Sequence, residues 1–231
     1  MTLQNATKQI PAEAHIEDQI KDFKLANQYL REGQFQAAIV FYQYALQQNP
    51  ASSAIYENLG DALYQSQQYQ DAAAAYQSAI SLNAQSAYAH AQLGRICFQQ
   101  QRYSAAIAPY RQAIALHPTC IPYSHDLAQT LLALDRSIEA SKVYKRLGAV
   151  LRHEGLREDA IAAYQKAVTL QSTAADVHQA IGECYHLQGN FSAAIHHYQQ
   201  VADCACEPLH LWFYKNWGEA ILSEAAEASV A

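Results

Sequence analysis

Residues 53–86 read SAIYENLGDALYQSQQYQDAAAAYQSAISLNAQS, and this stretch decides the fold. Tyr56, Leu59, Gly60 and Leu63 recur at helical spacing, and so do Ala72, Tyr76 and Ala79 further on. The pattern predicts two amphipathic helices joined by a short turn. Gly60 and Ala72 remove bulk where two antiparallel helices would cross, and Tyr76 fills the larger gap beside them. One such hairpin leaves an apolar stripe uncovered, so it needs neighbours of the same kind.

Those neighbours are present. A first copy spans 19–52, with Leu25, Ala26 and Tyr29, then Gly33 at the turn, then Ala38, Tyr42, Ala45 and Pro50. A third spans 87–120, with Leu93, Gly94, Cys97, Tyr103, Ala106, Tyr110, Ala113 and Pro118. Starts at 19, 53 and 87 are spaced by 34 residues, which chance does not produce. The spacing and the marker residues resemble the tetratricopeptide repeat (TPR) family, in a bacterial-type array. The resemblance implies an all-α fold, a right-handed α-α superhelix of helix-turn-helix repeats.

Further along the register slips. A fourth copy opens at Ile121 with Pro122 near its first helical position and Leu127, Ala128 and Leu131 at core places. Its second helix is expected to start after Ser137 as N-cap, with Ala140 and Tyr144 in register. Yet Tyr144, Leu147, Gly148 and Leu151 also fit the first helix of a fifth copy starting at Ser141, completed by Gly155, Ala160, Tyr164 and Ala167. A sixth starts at Ala175 and carries Ile181, Gly182, Tyr185, Gly189, Phe191, Ala194, Tyr198 and Val201, opening on Thr173 to Asp176 as a near capping box. One helix over 137–153 is therefore expected to close the fourth repeat and open the fifth, dividing the array into two stacks. Pro109, inside the second helix of the third copy, is expected to bend that helix without breaking it.

The domain reading is a flexible leader over 1–17, an array over 18–207 with 121–140 merged into 141–174, and a capping helix over 208–231. In that last helix Tyr214, Trp217, Gly218 and Ile221 repeat the first-helix pattern. The aromatics Trp212, Phe213 and Trp217 make it a candidate for weak self-association.

Composition sets outer bounds. Apolar residues make up 51% and charged residues only 16%, which argues a folded chain. A net charge of −6 gives no reason to expect nucleic acid. No apolar run approaches the ~20 residues of a spanning helix, and no secretory h-region is evident. Five scattered cysteines do not form a disulfide framework. The expectation is a cytoplasmic protein without a membrane partner.

Catalytic motifs are missing: no phosphate loop, no H-E-x-x-H, no G-x-S-x-G. Cys204, Cys206 and His210, joined by His196 or His197, are the best metal candidate, but the spacing is not a usual zinc pattern. Cys97 and Cys184 fall on packed faces. No catalytic residue, metal or cofactor is assigned. Tyr42, Tyr76, Tyr110, Tyr164 and Tyr198 recur at one repeat position and are expected to pack, not to bind.

In the TPR family the first helices line a concave groove for extended peptides or partner helices. Carried onto this chain, the resemblance puts Phe23, Asn27, Asn58, Asp61, Tyr64, Tyr88, Arg95 and Phe98 in a peptide-binding groove, with Leu30 at an equivalent place. The chaperone-binding members hold a terminal carboxylate with cations and two asparagines. Here Asn27 and Asn58 are present, but Phe23, Tyr88 and Gln92 stand where cations belong, which argues against that ligand. A basic patch of Lys142, Lys145, Arg146 and Arg152 lies on roughly one face of the shared helix, either as a solvated flank or as a site for an acidic or phosphorylated partner. The function expected is a non-catalytic protein–protein interaction scaffold. The alternative is the interaction or substrate-presenting arm of a larger glycosyltransferase-like or methyltransferase-like enzyme.

Overall fold

The computed structural model describes the backbone of residues 12–171, 175–204 and 216–222, and side chains from residue 21 onward within those ranges, up to 202 in the second of them. Among the described residues the chain is helical and contains no strand. It divides into two compact units, residues 1–100 and 101–231. The boundary falls inside the third repeat, well before the shared helix.

The first unit holds α1 (Ala12–Arg31), α2 (Phe35–Gln48), α3 (Ser53–Gln65), α4 (Tyr69–Leu82) and α5 (Ala87–Gln99). Each packs on its neighbour in the chain, and α1 also touches α3. That nearest-neighbour order is what stacked hairpins require. The helix starts are cut by sequence: Ser52 caps α3 by accepting from the Ile55 N–H, and Ser86 caps α5 by accepting from the Ala89 N–H. α1 begins at Ala12, so the stretch expected to be a leader is helical from there on; residues 1–11 lie outside the described residues.

The second unit holds α6 (Tyr103–Leu116), α7 (Ile121–Leu132), α8 (Ser137–His153), α9 (Arg157–Leu170), α10 (Ala175–Leu187) and α11 (Phe191–Cys204), followed by a helical segment over 216–222. Again each helix packs on the next, and α8 touches α10. α6 continues through Pro109. α8 is one unbroken helix of 17 residues, packed on α7 on one side and α9 on the other. Ser137 is its first residue and not its cap; Arg136 takes the cap position without a side-chain bond to the backbone. Thr173 lies outside the described residues. In the segment over 216–222, Ala220 is fully buried and Trp217 packs on the Ala194, Tyr198 and Val201 cluster of α11. Trp217 is thus part of that core, while Trp212 and Phe213 lie outside the described residues.

The small-and-large pairing read from the sequence sets the helix spacing. A methyl group on Gly60 would stand 2.7 Å from the Tyr76 ring, and one on Gly182 would stand 2.5 Å from the Tyr198 ring. Tyr42, Tyr76, Tyr110, Tyr164 and Tyr198 are all buried, each ring contributing roughly 2–3 kcal/mol by leaving water. Cys184 is buried too, and Cys97 half-buried.

Candidate functional site

Two recesses combine apolar and charged groups, one within each unit. The recess in the first unit, about 470 Å³, is lined from α1, α3 and α5, with the α1–α2 turn closing one end. Its centre is Asp61. Oδ1 of Asp61 accepts hydrogen bonds from the Tyr76 hydroxyl at 2.6 Å and the Tyr88 hydroxyl at 2.5 Å. The Tyr64 ring stands beside it, with the Arg95 guanidinium 5.9 Å from the ring centroid.

Burial raises the Asp61 carboxyl above its ordinary value, against the opposite pull of the two tyrosine hydroxyls and Arg95. Burial and the neighbouring carboxylate together push the Tyr76 and Tyr88 hydroxyls far up, so both remain donors. The tyrosine pair thereby fixes the carboxylate in one orientation and leaves Oδ2 free of their bonds. Arg31 and Arg95 supply positive charge on the rim. A recess so built can accept a cationic donor at Asp61, hold an apolar or aromatic body against Tyr64, and meet a carboxylate at the arginines.

Of the eight groove residues expected from the repeat register, Asp61, Tyr64, Tyr88 and Arg95 line this recess. The others do not. Asn27 Oδ1 accepts from the Tyr42 hydroxyl at 2.7 Å and from Asn58 Nδ2 at 3.0 Å, so the two asparagines tie α1 to α2 and α3. Phe23 packs 6.1 Å from Tyr42 and belongs to the core margin. Phe98 is half-buried and outside the lining. Arg31, Phe35 and Gln65 line the recess without having been expected there. Arg31 and Phe35 flank the turn at Gly33, and the nearness of a repeat's turn to the next repeat's first helix is the signal that points to them.

The basic patch separates into two pairs. Lys145 bonds to Asp176 and Arg152 to Glu183, both acceptors lying on α10. Lys142 and Arg146 instead stand at a recess between α6, α7 and α8. The four cations therefore do not form one surface, because α8 is flanked by helices on both sides.

Among the described residues no group of three metal-ligating side chains comes together. Cys206 and His210 lie outside the described residues, and so does the Cys204 side chain. His197 faces His178, with their Nδ1 atoms 3.1 Å apart, and stacks on Tyr185. No described helix is long and apolar enough to cross a membrane.

Two family models of the tetratricopeptide repeat match the chain, one over residues 23–87 and 58–119 and the other over 139–207. No curated protein matches it in sequence. Among solved structures, the APC/C hetero-tetramer Cut9-Hcn1 is similar with a TM-score of 0.51 at 16% identity, covering 90% of this chain and 44% of that one. The first TPR of Spaghetti (RPAP3), bound to the HSP90 peptide SRMEEVD, is similar with a TM-score of 0.50 at 20% identity, covering 52% of this chain and 94% of that one. MamA is similar with a TM-score of 0.44 at 22% identity, covering 81% of this chain and 92% of that one. The glycine–tyrosine crossings, the nearest-neighbour helix order and the matched repeats agree: the chain belongs to the tetratricopeptide repeat family.

Proposed function

We propose that the chain is a non-catalytic, cytoplasmic protein-interaction scaffold that binds a peptide segment of its partner in the first unit's recess. The observation that carries the reading is the Asp61 carboxylate, oriented by Tyr76 and Tyr88 beside Tyr64 and Arg95. Three first helices contribute to that one recess, as a site reading several successive residues of an extended peptide requires. The chemistry favours a basic residue at Asp61, an apolar one against Tyr64 and an acidic one near Arg95. It does not favour a bare C-terminal carboxylate, since Tyr88 and Gln92 occupy the places of the family's clamping cations.

The test is capture from the native cell with the whole chain as bait beside a Tyr64→Ala/Arg95→Ala variant of unchanged helicity. A partner lost only by the variant supports the reading, and a partner kept by both removes the recess as the site. The same capture separates the enzyme-arm alternative, for which an associated transferase would be recovered with both baits.

A further inference from the structure

The second unit contains a larger recess, about 690 Å³, between α6, α7 and α8. Its floor is apolar: Leu127, Leu131 and Leu147 are buried there, with Val143 and Val150 at the wall. Its rim is basic, formed by Arg111 from α6 and by Lys142 and Arg146, one turn apart on α8. Glu139 also reaches the rim, where Arg136 holds its two oxygens at 2.6 and 2.7 Å and Arg111 pairs with it at 3.8 Å, leaving one carboxylate among four cations. The rim therefore stays net positive in an acidic protein.

α8 treats its cations unequally. Lys145 and Arg152 are engaged by Asp176 and Glu183 of α10. Lys142 and Arg146 have no close hydrogen bond or ion pair among the described residues, although Lys142 feels the Glu139 carboxylate, so the rim keeps an excess of positive charge for an outside anion. Charge and apolar surface meet at one opening.

The size of the recess suits a small ligand. Small-molecule sites run to roughly 300–1,000 Å³, apolar with a few convergent polar groups. From the volume, the apolar floor and the excess of cations at the rim, we infer that the α6–α7–α8 recess is a binding site for a small amphipathic anion, its apolar body on Leu127, Leu131 and Leu147 and its carboxylate or phosphate at Lys142 and Arg146, beside Arg111. This site is separate from the peptide recess and does not depend on it.

The test is calorimetric titration of the full chain with dodecanoate and dodecyl phosphate below their micelle concentrations, beside acetate and dodecyltrimethylammonium. One-to-one saturable binding of either or both long-chain anions is expected, without binding of acetate or of the cation, and with affinity falling as salt rises. A Lys142→Glu/Arg146→Glu variant should bind about tenfold more weakly or worse. Lys142→Gln/Arg146→Gln, exposed neutral replacements that leave packing alone, should lie between. Melting curves confirm that both variants fold. Absence of saturable binding by both anions, equal binding of the cationic detergent, or wild-type affinity in both variants would overturn the assignment; a preference between the two anions identifies the head group.

Discussion

A methyl group on Gly148 would stand 2.7 Å from the Tyr164 ring. That relationship marks α8 as the first helix of a repeat, since Gly60 and Tyr76 stand in the same way. Yet α8 also carries Tyr144, buried at the place of a second-helix tyrosine, its hydroxyl 2.6 Å from His125 Nδ1 on α7. One helix thus completes one pair and opens another. Gly148→Ala should destabilise the chain by about 1–3 kcal/mol, because the buried ring has to shift. Urea unfolding checks this. A change below about 0.3 kcal/mol would mean the crossing is looser than the geometry requires.

Each first helix of the repeats ends on a left-handed residue: Gly33, Gln67, Gln101, Asp135, Gly155 and Gly189 all have φ between 57° and 80°. Glycine adopts this conformation without strain, whereas a side chain costs roughly 1 kcal/mol. Gln67→Gly should therefore raise stability by up to about 1 kcal/mol, and Gly155→Ala should lower it by about as much. Thermal melts of the two variants should move in opposite directions.

Ser86 is nearly buried and acts twice: its Oγ accepts from the Ala89 N–H at 3.1 Å and donates to Glu57 Oε1 at 2.5 Å. Ser86→Ala removes the cap of α5 and strands the Glu57 contact. A loss of about 1–2 kcal/mol is expected in urea unfolding, larger than for Ser52→Ala, whose cap bond is longer at 3.4 Å.

Burial lowers both His178 and His197, and neighbouring imidazoles, including His196, add to it; His197 falls from 6.5 to about 4. The unfolded chain consequently takes up protons below its ordinary value, while the folded chain resists until about pH 4. Stability is intact above pH 6.5 and declines as pH falls through the interval between the two values. His197 is only partly buried, so solvent screening reduces the effect to on the order of 1–2 kcal/mol. Stability measured from pH 8 to pH 5 should decline more steeply in the wild type than in His197→Phe.

The helix pairs were legible because steric period is written directly into sequence: a glycine at one position and a tyrosine later force the same crossing wherever they recur. The slip at α8 was legible for the same reason, since Tyr144 and Gly148 belong to different registers of one helix. The start of α1 at Ala12 was not, because polarity does not distinguish an exposed turn of helix from a leader. At the site, register singled out Asp61 and Arg95, which line one recess, but could not show that Asn27 and Asn58 bond to one another. Nor could periodicity show that the cations of α8 face two different neighbours, because it orients a helix without naming what packs on either flank.

The central claim is that the recess around Asp61 reads a peptide. Its most direct test is selection of a displayed random-peptide library on the whole chain, followed by titration of the recovered sequence against wild type, Asp61→Asn and Arg95→Ala. Asp61→Asn keeps an acceptor for Tyr76 and Tyr88 and removes only the charge. A motif with a basic residue beside an apolar one is expected, with a loss of about tenfold or more in affinity for each variant. Failure of any sequence to enrich, or equal affinity for all three proteins, would contradict it.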